Sequence, residues 1–302
     1  MTPDPIRALV RDLLLRRLAG WAPAALRRAR RATFVQAYAG PDAGSAEAAV
    51  RILAGLTDAP RGRLTAVTLA AHPGDLAVRL DDARASLPAT VDAHLVPGGP
   101  DRVPVALAAA GATGAPLLAW LDADDGPAPE RAVLAAVTAG RPAELLLLLG
   151  GSARLARPEL REAGFRLVTD VQLDHGPGPD DDSGASRRLV FATSSGKSLE
   201  AFKEALWSTE GHGVRYEGPE GLRLDAGAEP DSAPLRGDLL GRLREVGEAD
   251  VTELREFTLT ETLFRAEDTN RALTALLAEG AVTRTPEEGR LGGDVVIRPA
   301  GR

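Results

Sequence analysis

The chain has 302 residues, 44% of them hydrophobic and 26% charged, with a net charge of −7 at neutral pH and no cysteine. This composition describes a folded soluble protein, long enough for one α/β domain and a small accessory domain, and it excludes a disulfide framework, a thiol nucleophile and a thiolate metal site. No apolar run approaches the roughly 20 residues of a membrane span, no signal-peptide core opens the chain, and His72, His94, His175 and His212 lack ligand spacing, so a cytoplasmic protein without a metal is expected.

Residues 1–32 are expected to be a helical segment. Asp4 or Pro5 can open a helix in which Ile6, Leu9, Val10, Leu13, Leu14 and Leu18 form an apolar stripe. Pro23 is expected to break it, leaving a short second helix over 24–31. Eight arginines stand in the first 31 residues against Asp4 and Asp12, a basic face that suits either solvent or a docked partner.

The stretch 33–45, TFVQAYAGPDAGS, predicts a buried strand, a glycine turn and a helix opening near Ser45. The alternation then repeats, with strands expected over 64–70, 90–96, 116–122 and 144–149 and helices over 75–85, 102–110 and 129–138. Such spacing implies a doubly wound, mostly parallel sheet. After a helix at 158–163, the extended runs 165–173 and 188–193 flank an acidic loop and read as an antiparallel hairpin at the sheet edge. The result is a seven-stranded α/β Rossmann sheet of the kind found in S-adenosylmethionine-dependent methyltransferases, occupying residues 33–225. A helix over 199–207 and short extended pieces near 214–217 and 222–224 complete it.

Residues 226–234 read as a linker. From 235 onward the order is helix, helix, helix and hairpin, the order of a winged helix-turn-helix. Its third helix begins Ala266-Glu267-Asp268-Thr269, and residues 235–302 carry ten arginines against thirteen acids. This charge balance disfavours nucleic acid and favours contact with protein.

Three places invite chemistry. In a methyltransferase sheet the cofactor would lie over Ala39, Gly40, Pro41 and Gly44 at the first glycine turn. The acid that should follow the second strand is missing, since Ala70, Ala71 and His72 stand there, and Gln36 replaces the acid often found on the first strand. Asp122, at the end of the fourth strand and followed by Ala123-Asp124-Asp125-Gly126, is the candidate acceptor-binding carboxylate; the same composition also suits an ordinary loop. Ser194-Ser195-Gly196-Lys197-Ser198 is similar to the end of a P-loop. The required glycine five residues earlier is Phe191, so Lys197 is not expected to hold a nucleotide phosphate.

Several of these pieces together resemble one family. Trp21 with its leucine helix, AYAGP at 37–41 before Gly44-Ser45, LDADDG at 121–126 before PAELLL at 142–147, LVFAT at 189–193 with FKEALW at 202–207, and the terminal winged helix resemble the three-Cys-motif partner proteins over nearly the whole chain. The resemblance implies a methyltransferase-like fold, S-adenosylmethionine as cofactor, a three-Cys-motif protein as partner and a link to nucleic-acid modification. The family's acidic strand residue is here Gln36, and its Asp-Pro-Phe-Gly is here Asp122-Ala123-Asp124-Asp125-Gly126. Two functions therefore stand side by side: a methyltransferase acting on a nucleobase or related amine, and a non-catalytic scaffold that keeps the fold.

Overall fold

The computed structural model describes residues 4–40, 44–56, 62–151, 155–176 and 185–300. Helix α1 (Pro5–Arg28) opens the chain, with the Asp4 carboxylate accepting from the Ile6 and Arg7 amides at 3.0 and 3.2 Å, so Asp4 caps and Pro5 takes the first helical position. Contrary to expectation, α1 runs through Pro23 without a break. Trp21, Ala22, Ala25 and Leu26 are buried on the same stripe as Ile6 and Leu9. Continuing that stripe outweighs the hydrogen bond that a helix-interior proline forfeits.

Strands β1 (Arg31–Tyr38), β2 (Arg63–Ala70), β3 (Val91–Pro97), β4 (Leu117–Ala123) and β5 (Ala143–Gly150) are parallel. Helices α2 (Gly44–Ala54), α3 (Leu76–Arg84), α4 (Val103–Ala109) and α5 (Arg131–Thr138) follow the first four of these strands in turn. After β5 and α6 (Arg157–Glu162) come β6 (Leu167–His175), β7 (Ala185–Thr193), α7 (Gly196–Ser208), β8 (Arg215–Glu217) and β9 (Arg223–Asp225). The sheet order is β3-β2-β1-β4-β5-β7-β6-β8-β9.

Seven strands were expected in this sheet, and among the described residues nine are found. The short pieces near 215 and 224 pair with the sheet: β8 runs antiparallel to β6, and β9 antiparallel to β8. The β6–β7 pair also sits differently from a simple edge hairpin, because β7 inserts between β5 and β6 and pairs antiparallel with both. Five parallel strands followed by the order 5-7-6, with strand 7 reversed, define a methyltransferase-like sheet.

The central strands β1, β4 and β5 bury both faces, which is why their sequences are nearly continuous apolar runs. One face packs under α1, α2, α3 and α7, with Phe34, Trp120, Leu146 and Phe191 pointing to it. The other packs under α4, α5 and α6 through Val35, Ala119, Leu147 and Val190. Because side chains alternate, Gln36, Asp122 and Glu144 all fall on the α1 face of the sheet.

The remaining chain forms α8 (Ala233–Val246), β10 (Ala249–Asp250), α9 (Val251–Glu261), α10 (Ala266–Ala278), β11 (Val282–Thr285) and β12 (Val296–Pro299). Its sheet order is β10-β12-β11, and it has its own core built on Leu239, Leu254, Phe264, Leu273 and Ile297. Asp250 and Glu253 close a reciprocal capping box at α9. Asp268, the second acid at the start of α10, is fully buried and accepts from the Arg265 amide at 2.8 Å. Only Glu267 of that acidic pair faces solvent.

The α9–α10 turn is fastened to the sheet by side chains from α7. Lys203 Nζ donates to the Thr262 carbonyl, and Trp207 Nε1 donates to the Leu263 carbonyl at 2.9 Å. Glu220 accepts from the Leu263 amide at 2.8 Å. Burial pulls the Lys203 ammonium down to about 7, against the opposing pull of Glu220. Among the described residues no helix is long and apolar enough to cross a membrane.

Candidate functional site

Open α/β sheets place ligands beyond the carboxyl ends of their strands, and here the ends of β1 and β4 lie side by side, Tyr38 in register with Asp122. Ala39 continues β1, its amide donating to the Asp122 carbonyl at 3.0 Å. Gly40 follows, and Gly44 is the first residue of α2. Pro41 lies outside the described residues. The structure brings Ala39, Gly40 and Asp122 together at these two strand ends.

At these strand ends the chain's own side chains pair with one another. Asp122, only 6% exposed, receives Arg7 Nη1 from α1 at 3.0 Å. Arg7 Nη2 reaches Asp124 at 2.8 Å and Asp125 at 2.9 Å. Arg187 of β7 donates through Nε to Asp124 at 2.6 Å and through Nη2 to Asp4 at 2.7 Å. Among the described residues, four carboxylates and two guanidiniums therefore knit the start of α1, the end of β4 and the start of β7 together.

The electrostatics follow from this arrangement. Burial pushes the Asp122 carboxyl above its ordinary range, although Arg7 and the Asp124 amide pull it back. Burial also opposes ionisation of Asp4, but hydrogen bonds from Arg187 and from the Arg7 and Ile6 amides hold its carboxyl below the ordinary range. A carboxylate already satisfied by Arg7 offers an incoming amine little that water does not.

The glycines report the same closure. A β-carbon on Gly40 would stand 2.3 Å from the Asp125 carboxylate, and one on Gly126 would stand 2.7 Å from Ala39 Cβ. On Gly150 it would meet the Asp124 carbonyl at 2.3 Å. These residues are glycine because strand ends and the 124–126 loop approach one another, a requirement that no ligand is needed to explain.

Two residues before the end of β1, Gln36 is buried and committed. Its Nε2 donates to Thr68 Oγ1 at 2.8 Å and to the Ala46 carbonyl at 3.2 Å, while its Oε1 accepts from the Tyr38 hydroxyl at 3.0 Å. At the end of β2 the Ala71 amide donates to the Tyr38 carbonyl at 3.3 Å, with His72 exposed and Asp75 beginning the next helix. Sequence reasoning missed Arg7 and Arg187 as partners of the site. Arg7 was visible as one of eight N-terminal arginines, but only the fold assigns it to Asp122.

No family model matches the sequence, and no curated protein matches it. Among solved structures the chain is similar to an rRNA methylase from Streptococcus thermophilus, at 13% identity and a TM-score of 0.35, covering 65% of this chain and 99% of that one. It is also similar to a Legionella pneumophila protein at 10% identity and a TM-score of 0.39, covering 72% and 97%. A third is a Listeria monocytogenes protein assigned to the class I S-adenosylmethionine-dependent methyltransferases, at 12% identity and a TM-score of 0.33, covering 65% and 61%. Likenesses this distant carry no functional argument, and the assignment of a methyltransferase-like fold rests on the strand order.

Proposed function

We propose that this protein is a non-catalytic interaction scaffold that retains a methyltransferase-like fold and carries a winged helix at its C-terminus. The observation that carries the reading is the ion-pair knot at the end of β4, where Arg7 holds Asp122, Asp124 and Asp125. The described residues do not fit S-adenosylmethionine. Gln36 is engaged by Thr68, Ala46 and Tyr38, the end of β2 supplies Ala70 and Ala71 instead of a ribose-binding acid, and Asp125 lies against Gly40.

The winged helix serves contact with protein in this reading. Ten arginines against thirteen acids over 235–302 support it, as does Glu267 at the exposed start of α10. A three-Cys-motif protein is the partner that the family resemblance implies. The competing reading is a divergent methyltransferase with Asp122 at the acceptor, which the raised affinity of Asp122 for a proton favours.

Incubating the full chain with methyl-labelled S-adenosylmethionine and, in parallel, total RNA, duplex DNA or cell protein tests the choice. The scaffold reading predicts no transferred label. Label on any acceptor, lost in Asp122→Asn, would establish the enzyme instead.

A further inference from the structure

The two ends of the sheet carry opposite arrangements of charge. At the carboxyl end of β4, Arg7 and Arg187 are each held by two or more carboxylates. Helix α1 then crosses the sheet and delivers its last turn, with Arg27 and Arg28, to the amino-terminal edge. There the cations are not answered in the same way.

Along that edge β2, β1, β4, β5 and β7 are neighbours in that order. Arg63 opens β2 and Arg31 opens β1, the two in register on adjacent parallel strands. The Arg63 amide donates to the Arg30 carbonyl at 2.9 Å, and the Arg141 amide donates to the Ala115 carbonyl at 2.7 Å, which sets Arg30 beside β2 and Arg141 beside the start of β4. Arg28 and Lys197 line one cavity between the end of α1 and the start of α7. Four strand spacings of about 4.8 Å make this row about 19 Å long.

All six of these cations are exposed. Arg63 pairs with Asp92 at 3.2 Å, and Arg31 donates to the Thr113 carbonyl at 3.2 Å. Among the described residues the side chains of Arg28, Arg30, Arg141 and Lys197 make no hydrogen bond or ion pair, and Glu200, one turn beyond Lys197 on α7, engages none of them. The Glu144 carboxylate beneath the row is already held by Arg17 and the Ser198 hydroxyl. Like charges side by side on neighbouring strands are destabilising. A chain of net charge −7 has acids enough to neutralise this row, yet leaves it bare.

A regular polyanion compensates such a row, and arginine forks match phosphate oxygens. The large hydrophobics most exposed among the described residues, Val78, Val105 and Val246, belong to α3, α4 and α8, so they place no apolar anchor for a lipid surface beside these cations. We propose that this edge binds the phosphodiester backbone of a nucleic-acid duplex without reading its bases. At about 3.4 Å of helix axis per phosphate on one strand, a row of about 19 Å spans about six phosphates, which six cations match. Lys197 then meets a backbone phosphate, with no need of the P-loop glycine that the sequence lacks. The inference holds whether or not the protein transfers methyl groups, and it places the contact on the sheet edge, away from the winged domain and its excess of acids.

Fluorescence anisotropy of a labelled DNA duplex of about 20 base pairs, titrated with the full chain between about 50 and 200 mM sodium chloride, tests the proposal. Saturable binding is expected at the low-salt end, with log affinity falling against log salt at a slope of about −5 from six contacts. Arg28→Gln combined with Lys197→Gln should remain folded, because both residues are exposed. It should weaken binding about tenfold or more and reduce the slope by about 2. Absence of binding at about 50 mM salt with about 100 μM protein would overturn the proposal. So would unchanged affinity and slope in the double variant, which would move the contact to another surface. Equal displacement of the duplex by poly-glutamate at matched charge would overturn the nucleic-acid assignment in favour of an acidic protein.

Discussion

Arg7 Nη1 lies 3.0 Å from Asp122 Oδ2, joining the first turn of α1 to the strand end where this fold places its chemistry. The pair is largely shielded from water, with side-chain exposures of 20% and 8%. Removing one partner of such a pair leaves the other charge desolvated, which costs far more than the pair contributes when whole. Arg7→Ala is therefore expected to destabilise the protein by about 3 kcal/mol in urea unfolding. In a cycle with Asp122→Asn the two changes should be non-additive by about 1 kcal/mol or more; additive effects would mean that the pair is not coupled.

The close approach of Asp125 to Gly40 predicts a second outcome. Gly40→Ala must displace the half-exposed Asp125 side chain and with it the 2.9 Å contact to Arg7, so a loss of about 1 kcal/mol is expected. Asp125→Ala in the same chain should restore much of it. If Gly40→Ala is instead as stable as wild type, the loop does not press on the turn as described.

Lys203 gives a pH dependence of defined sign. Its folded pKa of about 7 lies below the 10.5 of an ordinary lysine, so between those values the unfolded chain binds the extra proton. The cost of burying the ammonium is fully present below pH 7 and is relieved as pH rises toward 10.5. Stability should therefore climb from about pH 7 to about pH 9.5, by at most about 1.4 kcal/mol per pH unit from this group. Lys203→Met should abolish the climb, and chemical denaturation across that range reads it directly. An equal climb in the variant would assign it to another group.

Phe191 of β7 and Phe202 of α7 stack with ring centroids 4.5 Å apart, both fully buried. Phe191→Ala should cost about 3–5 kcal/mol by cavity formation and lost ring contact. A loss under about 1 kcal/mol would show that α7 can collapse onto the strand.

The fold was legible where local pattern and tertiary environment agree. Continuous apolar runs such as ELLLLL at 144–149 mark strands buried on both faces, and β5 forms there. Local rules failed where packing overrode them: Pro23 stays within α1 because Trp21, Ala25 and Leu26 remain buried, and the weakly patterned segments near 215 and 224 become strands only by pairing beside β6. The positions of Gly40 and Asp122 could be read from strand ends. What surrounds them could not, because Arg7 lies 115 residues from Asp122 in sequence and Arg187 lies 63 from Asp124. Such pairings depend on α1 crossing the sheet and on β7 inserting between β5 and β6. The start of α7 was hidden for a smaller reason, since Ser195-Gly196-Lys197 reads as loop until the Ser195 cap is seen.

The most direct measurement of the central claim is calorimetric titration of the folded wild-type protein with S-adenosylmethionine to about 1 mM. With Arg7 on Asp122, Asp125 against Gly40 and Gln36 engaged by Thr68, Ala46 and Tyr38, no saturable heat is predicted. A one-to-one isotherm, weakened about tenfold or more by Gln36→Ala in a protein that remains folded, would contradict the scaffold account and establish a living cofactor site.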